Sequence, residues 1–240
     1  MSAHYVKLVV KNGYYVPPLA LAIYSLTQNL YLASAVGLKL CSLNYYCWYW
    51  TEFDYRFQDR RWNIMKQMVR FTDTGHLVNA LYLLSGPSGD GRGEVDMWPL
   101  AFNVHFIVTF GYWTARLLFG MKDTLPDDKE YDVVFEDAWV SLVHGWHFVL
   151  LIFELRNRMM ASTDTCLYYG KPVDAWSAWG WLLVWFSCVY IPWWTRTGDP
   201  IYSVMDRKSA IAVRVGVGLF VQVLAFVGNW TAGRFVESMG

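Results

Sequence analysis

Long apolar runs alternate with short polar connectors along this 240-residue chain. A helix needs about 20 apolar residues to cross roughly 30 Å of hydrocarbon at about 1.5 Å rise per residue. Six runs approach that length: Tyr14 to Leu38, Ile64 to Leu84, Met97 to Phe119, Ala138 to Leu155, Ala175 to Thr195 and Ser209 to Gly233. The pattern predicts an all-α protein, a polytopic membrane helix bundle of about six transmembrane helices forming one domain over residues 1–240. Pro17 and Pro18 are expected at the start of the first span, where a missing N–H does least harm. Pro192 is expected to kink or end the fifth. In the sixth, Ala212, Gly216, Gly218, Gly228 and Ala232 form a small-residue series that lets another helix approach closely.

The connectors are less regular. Leu43 to Trp62 is aromatic and then charged, which predicts an interfacial segment rather than a further span. Ser85 to Asp96 reads as a turn without the Gly-Lys-Ser/Thr of a phosphate loop, and Lys122 to Asp137 as an acidic, solvated connector. The N-terminal stretch carries Lys7 and Lys11 but lacks a cleavable signal pattern, so Met1 is expected to be the true start. An even number of spans puts both termini on one side, and Lys and Arg divide too evenly between the two sides to orient the bundle.

Composition agrees with the membrane reading. Hydrophobic residues make up 55% and charged residues 17%, and 14 Trp and 16 Tyr suit bilayer interfaces. Basic and acidic residues balance at 20 each, which offers no electrostatic case for binding nucleic acid. Cys41, Cys47, Cys166 and Cys188 show neither a metal spacing nor a disulfide framework. The expected partners are membrane lipids and other proteins within the membrane, in the mitochondrial inner membrane or the endoplasmic reticulum.

The second span contradicts its own hydropathy, because it holds Arg70, Asp73 and His76. An ionised group at the bilayer centre costs at least about 2.5 kcal/mol, so these groups must face inward and find partners. Arg70 and Asp73 are three apart on a helix and are expected to pair. His76 lies roughly 18 Å into its span and His147 roughly 14 Å into the parallel fourth span, with His105 near the same level. Together with His144 they predict a ring of imidazoles near the midplane, and Glu154 continues the line of His147.

That belt admits chemistry as well as bracing. Thr72, Asp73 and His76 share a helical flank and supply the hydroxyl, carboxylate and imidazole of a nucleophilic site. The plainer reading is that the groups satisfy one another and fix helix packing. A lone His-x-x-His at His144 and His147, without repeated Glu-x-x-His, does not make a metal site. Haem ligation by intramembrane histidines is a further alternative, although such proteins place His pairs at two depths.

The segment VHGWHFVLLIFELRNR, residues 143–158, resembles the Asn-His-Gly-x-His and Ile-x-Glu-x-Arg motifs of the androgen-induced-gene family of membrane threonine hydrolases. Phe71 to Asp73 is similar to that family's Thr-Phe-x-Asp, and Tyr190 to Tyr202 to its Tyr-x-x-Trp and Thr-Gly motifs. The resemblance implies a six-span bundle that cleaves fatty-acid esters with an intramembrane Thr and a His. The family's nucleophilic Thr corresponds to Arg70, which is no nucleophile, so the implied catalytic set becomes Thr72 or Thr74 with His144 or His147. With the nucleophile displaced, the function expected first is a non-catalytic accessory or structural subunit of a larger membrane complex, respiratory or otherwise energy-transducing, with bound lipid and no cofactor. An intramembrane lipid-ester hydrolase is the alternative, and a haem-binding electron carrier the second.

Overall fold

In the computed structural model the backbone is described over residues 3–52, 65–66, 68–85, 97–119, 133–161, 172–202, 205 and 209–239. Side chains are described over 14–41, 65–66, 68–85, 97–118, 141–157, 174–202, 205 and 209–238. The protein is all-α, with no strand among the described residues. The helices are α1 (Ala3–Thr27), α2 (Leu30–Glu52), α3 (Phe71–Ser85), α4 (Trp98–Phe119), α5 (Val133–Ala161), α6 (Pro172–Trp185), α7 (Ile191–Thr197) and α8 (Ile211–Met239). A π-helical turn, Phe186–Tyr190, joins α6 to α7 as one bent rod.

The expected first span is two helices. Thr27 Oγ1 donates to the Ile23 carbonyl, Gln28 adopts a left-handed φ of 53°, and Asn29 Oδ1 accepts the Leu32 N–H at 2.9 Å as the cap of α2. The chain then doubles back, and Gly37 on α2 faces Val16 and Ala20 of α1. Pro17 and Pro18 consequently fall inside α1 rather than at its start, where they deprive the Gly13 and Tyr14 carbonyls of their helical donors. The expected interfacial segment is helical through Glu52 as the end of α2, and residues 53–62 lie outside the described ones.

The second run bends at Arg70, so α3 proper starts at Phe71 and has 15 residues. The third matches α4 within a residue, whereas the fourth is extended at both ends into a helix of 29 residues. Of the two loops, residues 86–96 and 120–132 lie outside the described ones, and Val133 to Asp137 belong to α5. Pro192 bends the fifth run through the turn before it. With no N–H at Pro192 the helical ladder cannot continue unbroken, and the Ile191 N–H instead reaches the Phe186 carbonyl five residues back.

Helix α4 is the axis of the bundle and packs against α3, α5, α6 and α8. Its residues Trp98 to Thr109 are buried all round except for the half-buried Leu100. Gly228 of α8 lets α4 come close, since a Cβ there would lie 2.9 Å from Phe106 Cγ. Only this half of the small-residue series is used: Ala232 is buried, while Ala212, Gly216 and Gly218 face outward. Among the described residues one helix, Ile211–Ser238, is long and apolar enough to cross a membrane, so six such spans do not follow from length and composition.

Candidate functional site

The polar belt assembles where α3, α4 and α5 meet. Helix α3 comes close to α4 because Gly75 has no side chain: a Cβ there would lie 3.0 Å from Val104 Cγ1. The same approach lets His105 Nε2 donate to the Gly75 carbonyl at 3.1 Å. His76 Nε2 faces the Val143 carbonyl of α5 at 3.3 Å and must carry a proton to bond it. His147 Nδ1 lies 2.8 Å from the Asn79 side-chain nitrogen, so it accepts, and its own proton sits on Nε2.

The three rings are nearly parallel. His76 and His147 stack with centroids 3.9 Å apart, and His105 lies 5.1 Å from His147 and 5.6 Å from His76. All are buried, and among the described residues His76 Nδ1, His147 Nε2 and Asn79 Oδ1 have no hydrogen-bond partner. The expected ring of four is therefore a cluster of three. His144 turns away, stacks on Tyr112 at 3.8 Å, and offers its backbone carbonyl to Thr109 Oγ1.

The belt extends along α3 in both directions. Toward its C-terminus Tyr82 donates to Glu154, which is 9% exposed. Toward its N-terminus Asp73 forms an ion pair with Lys39 of α2. That partner was missed in the sequence because Lys39 closes an expected span and looks like a boundary charge. Lys66, only 1% exposed, binds both carboxylate oxygens of Asp199 at 2.8 and 2.9 Å, and Trp193 Nε1 donates to the same carboxylate. The Tyr202 oxygen accepts the Phe71 N–H at 3.0 Å and also bonds Thr72. Burial pushes the Tyr202 hydroxyl above its usual range, and the neighbouring charge of Arg70 opposes the shift.

The threonine hydroxyls thus have partners of their own. Thr74 Oγ1 donates to the Phe71 carbonyl at 2.9 Å, and Thr72 is engaged at Tyr202. Thr72, Asp73 and His76 share α3, yet the bonded partners are Tyr202, Lys39 and Val143 on three other elements. The imidazole faces lie against each other, whereas axial haem ligands would present ring nitrogens from opposite sides of a plane. A groove of about 340 Å³ opens between α2 and α5, lined by Ser34, Leu38, Cys41, Leu142 and Trp146, away from either Thr. Among the described residues no group of three His, Cys, Asp or Glu side chains is arranged to hold a metal ion.

No protein-family model matches this chain, and neither curated proteins nor solved structures give a match.

Proposed function

We propose that this chain is a polytopic membrane protein that serves as a non-catalytic accessory or structural subunit of a larger membrane complex. The observation that carries the reading is the inverted distribution of polarity. On α3 the outward face is Leu77, Leu81 and Leu84, while the inward face holds His76 and Asn79. On α8 Val215, Leu219, Val223 and Trp230 face outward along most of its length. Apolar surface on this scale is stable against lipid or partner helices and not against water.

The accessory role follows from how the inward polar groups are engaged. Asp73 is neutralised by Lys39, Glu154 is bonded by Tyr82, and both threonines give their hydroxyls to other groups. Such mutual satisfaction fixes helix register, and the cost of separating any partner in hydrocarbon keeps it fixed. The motif resemblance to threonine hydrolases then describes a scaffold, with Arg70 standing where that family has its nucleophile.

The test is purification in mild detergent from its native membrane, followed by native-gel mass and subunit stoichiometry. Stable recovery with stoichiometric partners is expected. A protein released from membranes by alkaline carbonate, or recovered alone, would overturn the reading. Ester hydrolysis lost on Thr72→Ala or Thr74→Ala would replace it with the hydrolase.

A further inference from the structure

Helix directions divide the chain between two ends of the bundle. Lys39 of α2 meets Asp73 near the start of α3, and Asn29 meets the Leu83 carbonyl near its finish, so α2 runs against α3. Helix α5 runs with α3, through Asn79 to His147 and Tyr82 to Glu154, while Thr109 to His144 and Trp98 to Leu151 set α4 against α5. Asn103 reaches Asp174 at the start of α6, Trp185 at its finish reaches Val69, and α8 lays Leu224 beside Gly111 and Gly228 beside Phe106. Helix α1 folds back on α2 through the Gln28 turn. Thus α1, α3, α5 and α8 start at one end, the Phe71 end, and α2, α4 and α6 start at the other, the Ser85 end.

Lysines and arginines fall unevenly on that division. Among the described side chains Lys39, Lys66, Arg70, Arg116, Arg196 and Arg214 belong to the Phe71 end, and Arg156 and Arg234 to the Ser85 end. The rest of the sequence repeats the bias. Lys7 and Lys11 stand in the first turns of α1, and the chain between helices that finish and start at the Phe71 end adds Arg56, Arg60 and Arg61, then Lys122 and Lys129, then Arg207 and Lys208. The Ser85 end gains only Arg92, Arg158 and Lys171, so fifteen of the 20 basic residues belong to one end and five to the other. The even division read from the sequence places Lys7 and Lys11 on the opposite side, because it takes the first two helices for one, and it leaves out Lys66, Arg70, Arg116 and Arg214 as span residues.

We infer that the bundle is inserted with its Phe71 end toward the compartment in which it is synthesised, its basic side chains against the anionic headgroups of that leaflet, an orientation that rests on the membrane reading above. Lysine and arginine near helix ends resist translocation and are attracted to the negative inner surface, whereas carboxylates influence orientation little, so the acidic residues between Asp123 and Asp137 do not offset the bias. Every connector is shorter than the roughly 60 residues beyond which the bias fades. Arg116 lies three residues before the end of α4, over the Trp113 ring at 5.9 Å, and Arg214 three residues after the start of α8, so both reach the headgroup level by extending along the helix. The Lys39–Asp73 and Lys66–Asp199 pairs then lie toward the inner compartment, and the Tyr82–Glu154 pair toward the outer one.

Single-cysteine reporters in the full chain test the orientation, with Cys41, Cys47, Cys166 and Cys188 changed to Ser. Ala210→Cys is at an exposed position just before α8, and Glu237→Cys is near the other end of that helix, where the carboxylate makes only an exposed pair with Arg234. Thr195→Cys and Ser85→Cys repeat the comparison at exposed positions of α7 and α3. In bacterial spheroplasts an impermeant maleimide is expected to label Glu237→Cys and Ser85→Cys before lysis, and Ala210→Cys and Thr195→Cys only after it. The reverse pattern, or equal labelling at both ends, in a chain that resists alkaline carbonate would overturn the orientation and leave the membrane reading standing. Release by carbonate, with all four sites labelled only after lysis, would remove both. The same four substitutions in the chain with its native cysteines, scored as label above wild type, decide the matter should the serine background misfold.

Discussion

The imidazole of His76 lies flat against that of His147, with centroids 3.9 Å apart and planes inclined by 21°. Two helices of the same direction, α3 and α5, are thereby joined at their middles, with Asn79 and the Val143 carbonyl holding the ring edges. His76→Ala removes the stack and the bond to Val143 together, and should cost about 2–4 kcal/mol of stability. His76→Phe keeps a ring face and loses the bond, and should cost about 1–2 kcal/mol. Thermal unfolding in detergent, followed by tryptophan emission, distinguishes these; equal losses would show that the stack contributes nothing.

Lys39 and Asp73 make a pair of low exposure between α2 and α3. Lys39→Met strands a carboxylate and should destabilise by about 2–3 kcal/mol, less than a fully buried pair because water reaches the lysine. The double variant Lys39→Met with Asp73→Leu should recover most of that loss. A double-mutant cycle with no coupling would mean that Asp73 is held by something other than Lys39.

The glycines of this protein should respond unequally to alanine. Gly228→Ala drives a Cβ to 2.9 Å from a Phe106 ring atom and Gly75→Ala to 3.0 Å from Val104, so each should cost about 1–3 kcal/mol. Val104→Ala should relieve the second and not the first. Gly216→Ala and Gly218→Ala meet open space, and each should leave stability unchanged or raise it by up to about 1 kcal/mol. Denaturation midpoints of the four single variants provide the check.

Cys188 is exposed on the π-helical turn, on the outer surface of the bundle. In a background with Cys41, Cys47 and Cys166 changed to Ser, an impermeant maleimide should fail to label Cys188 in intact membranes and label it after denaturation. Rapid labelling in membranes would mean that this surface meets water, contrary to the proposed placement.

How far the sequence revealed this arrangement depended on what kind of signal each part carried. Helix α4 was legible because the apolar run from Met97 to Phe119 is long and carries no formal charge before Arg116. The meeting of His76, His105 and His147 followed from depth along alternating helices, a quantity that residue counting supplies. His144 shared the depth and missed the cluster, because three residues on a helix is a rotation of about 300° and Tyr112 stood on that side. The turn at Gln28 escaped notice because uncharged Thr, Gln and Asn scarcely interrupt a hydropathy window, although together they cap and end helices. Lys66 with Asp199 lay beyond any local pattern, since 133 residues separate the partners.

That turn has a consequence for the termini. Lys39 meets Asp73 while Asn29 meets Leu83, so α2 and α3 run oppositely; α5 runs with α3, and α4 and α6 run against it. Counting the bent rod once, seven rods alternate among the described residues, and an odd number leaves Ala3 and Met239 at opposite poles. In the proposed membrane, tags fused to Met1 and Gly240 would answer to antibodies from different compartments, where an unbroken first helix would have exposed both to one.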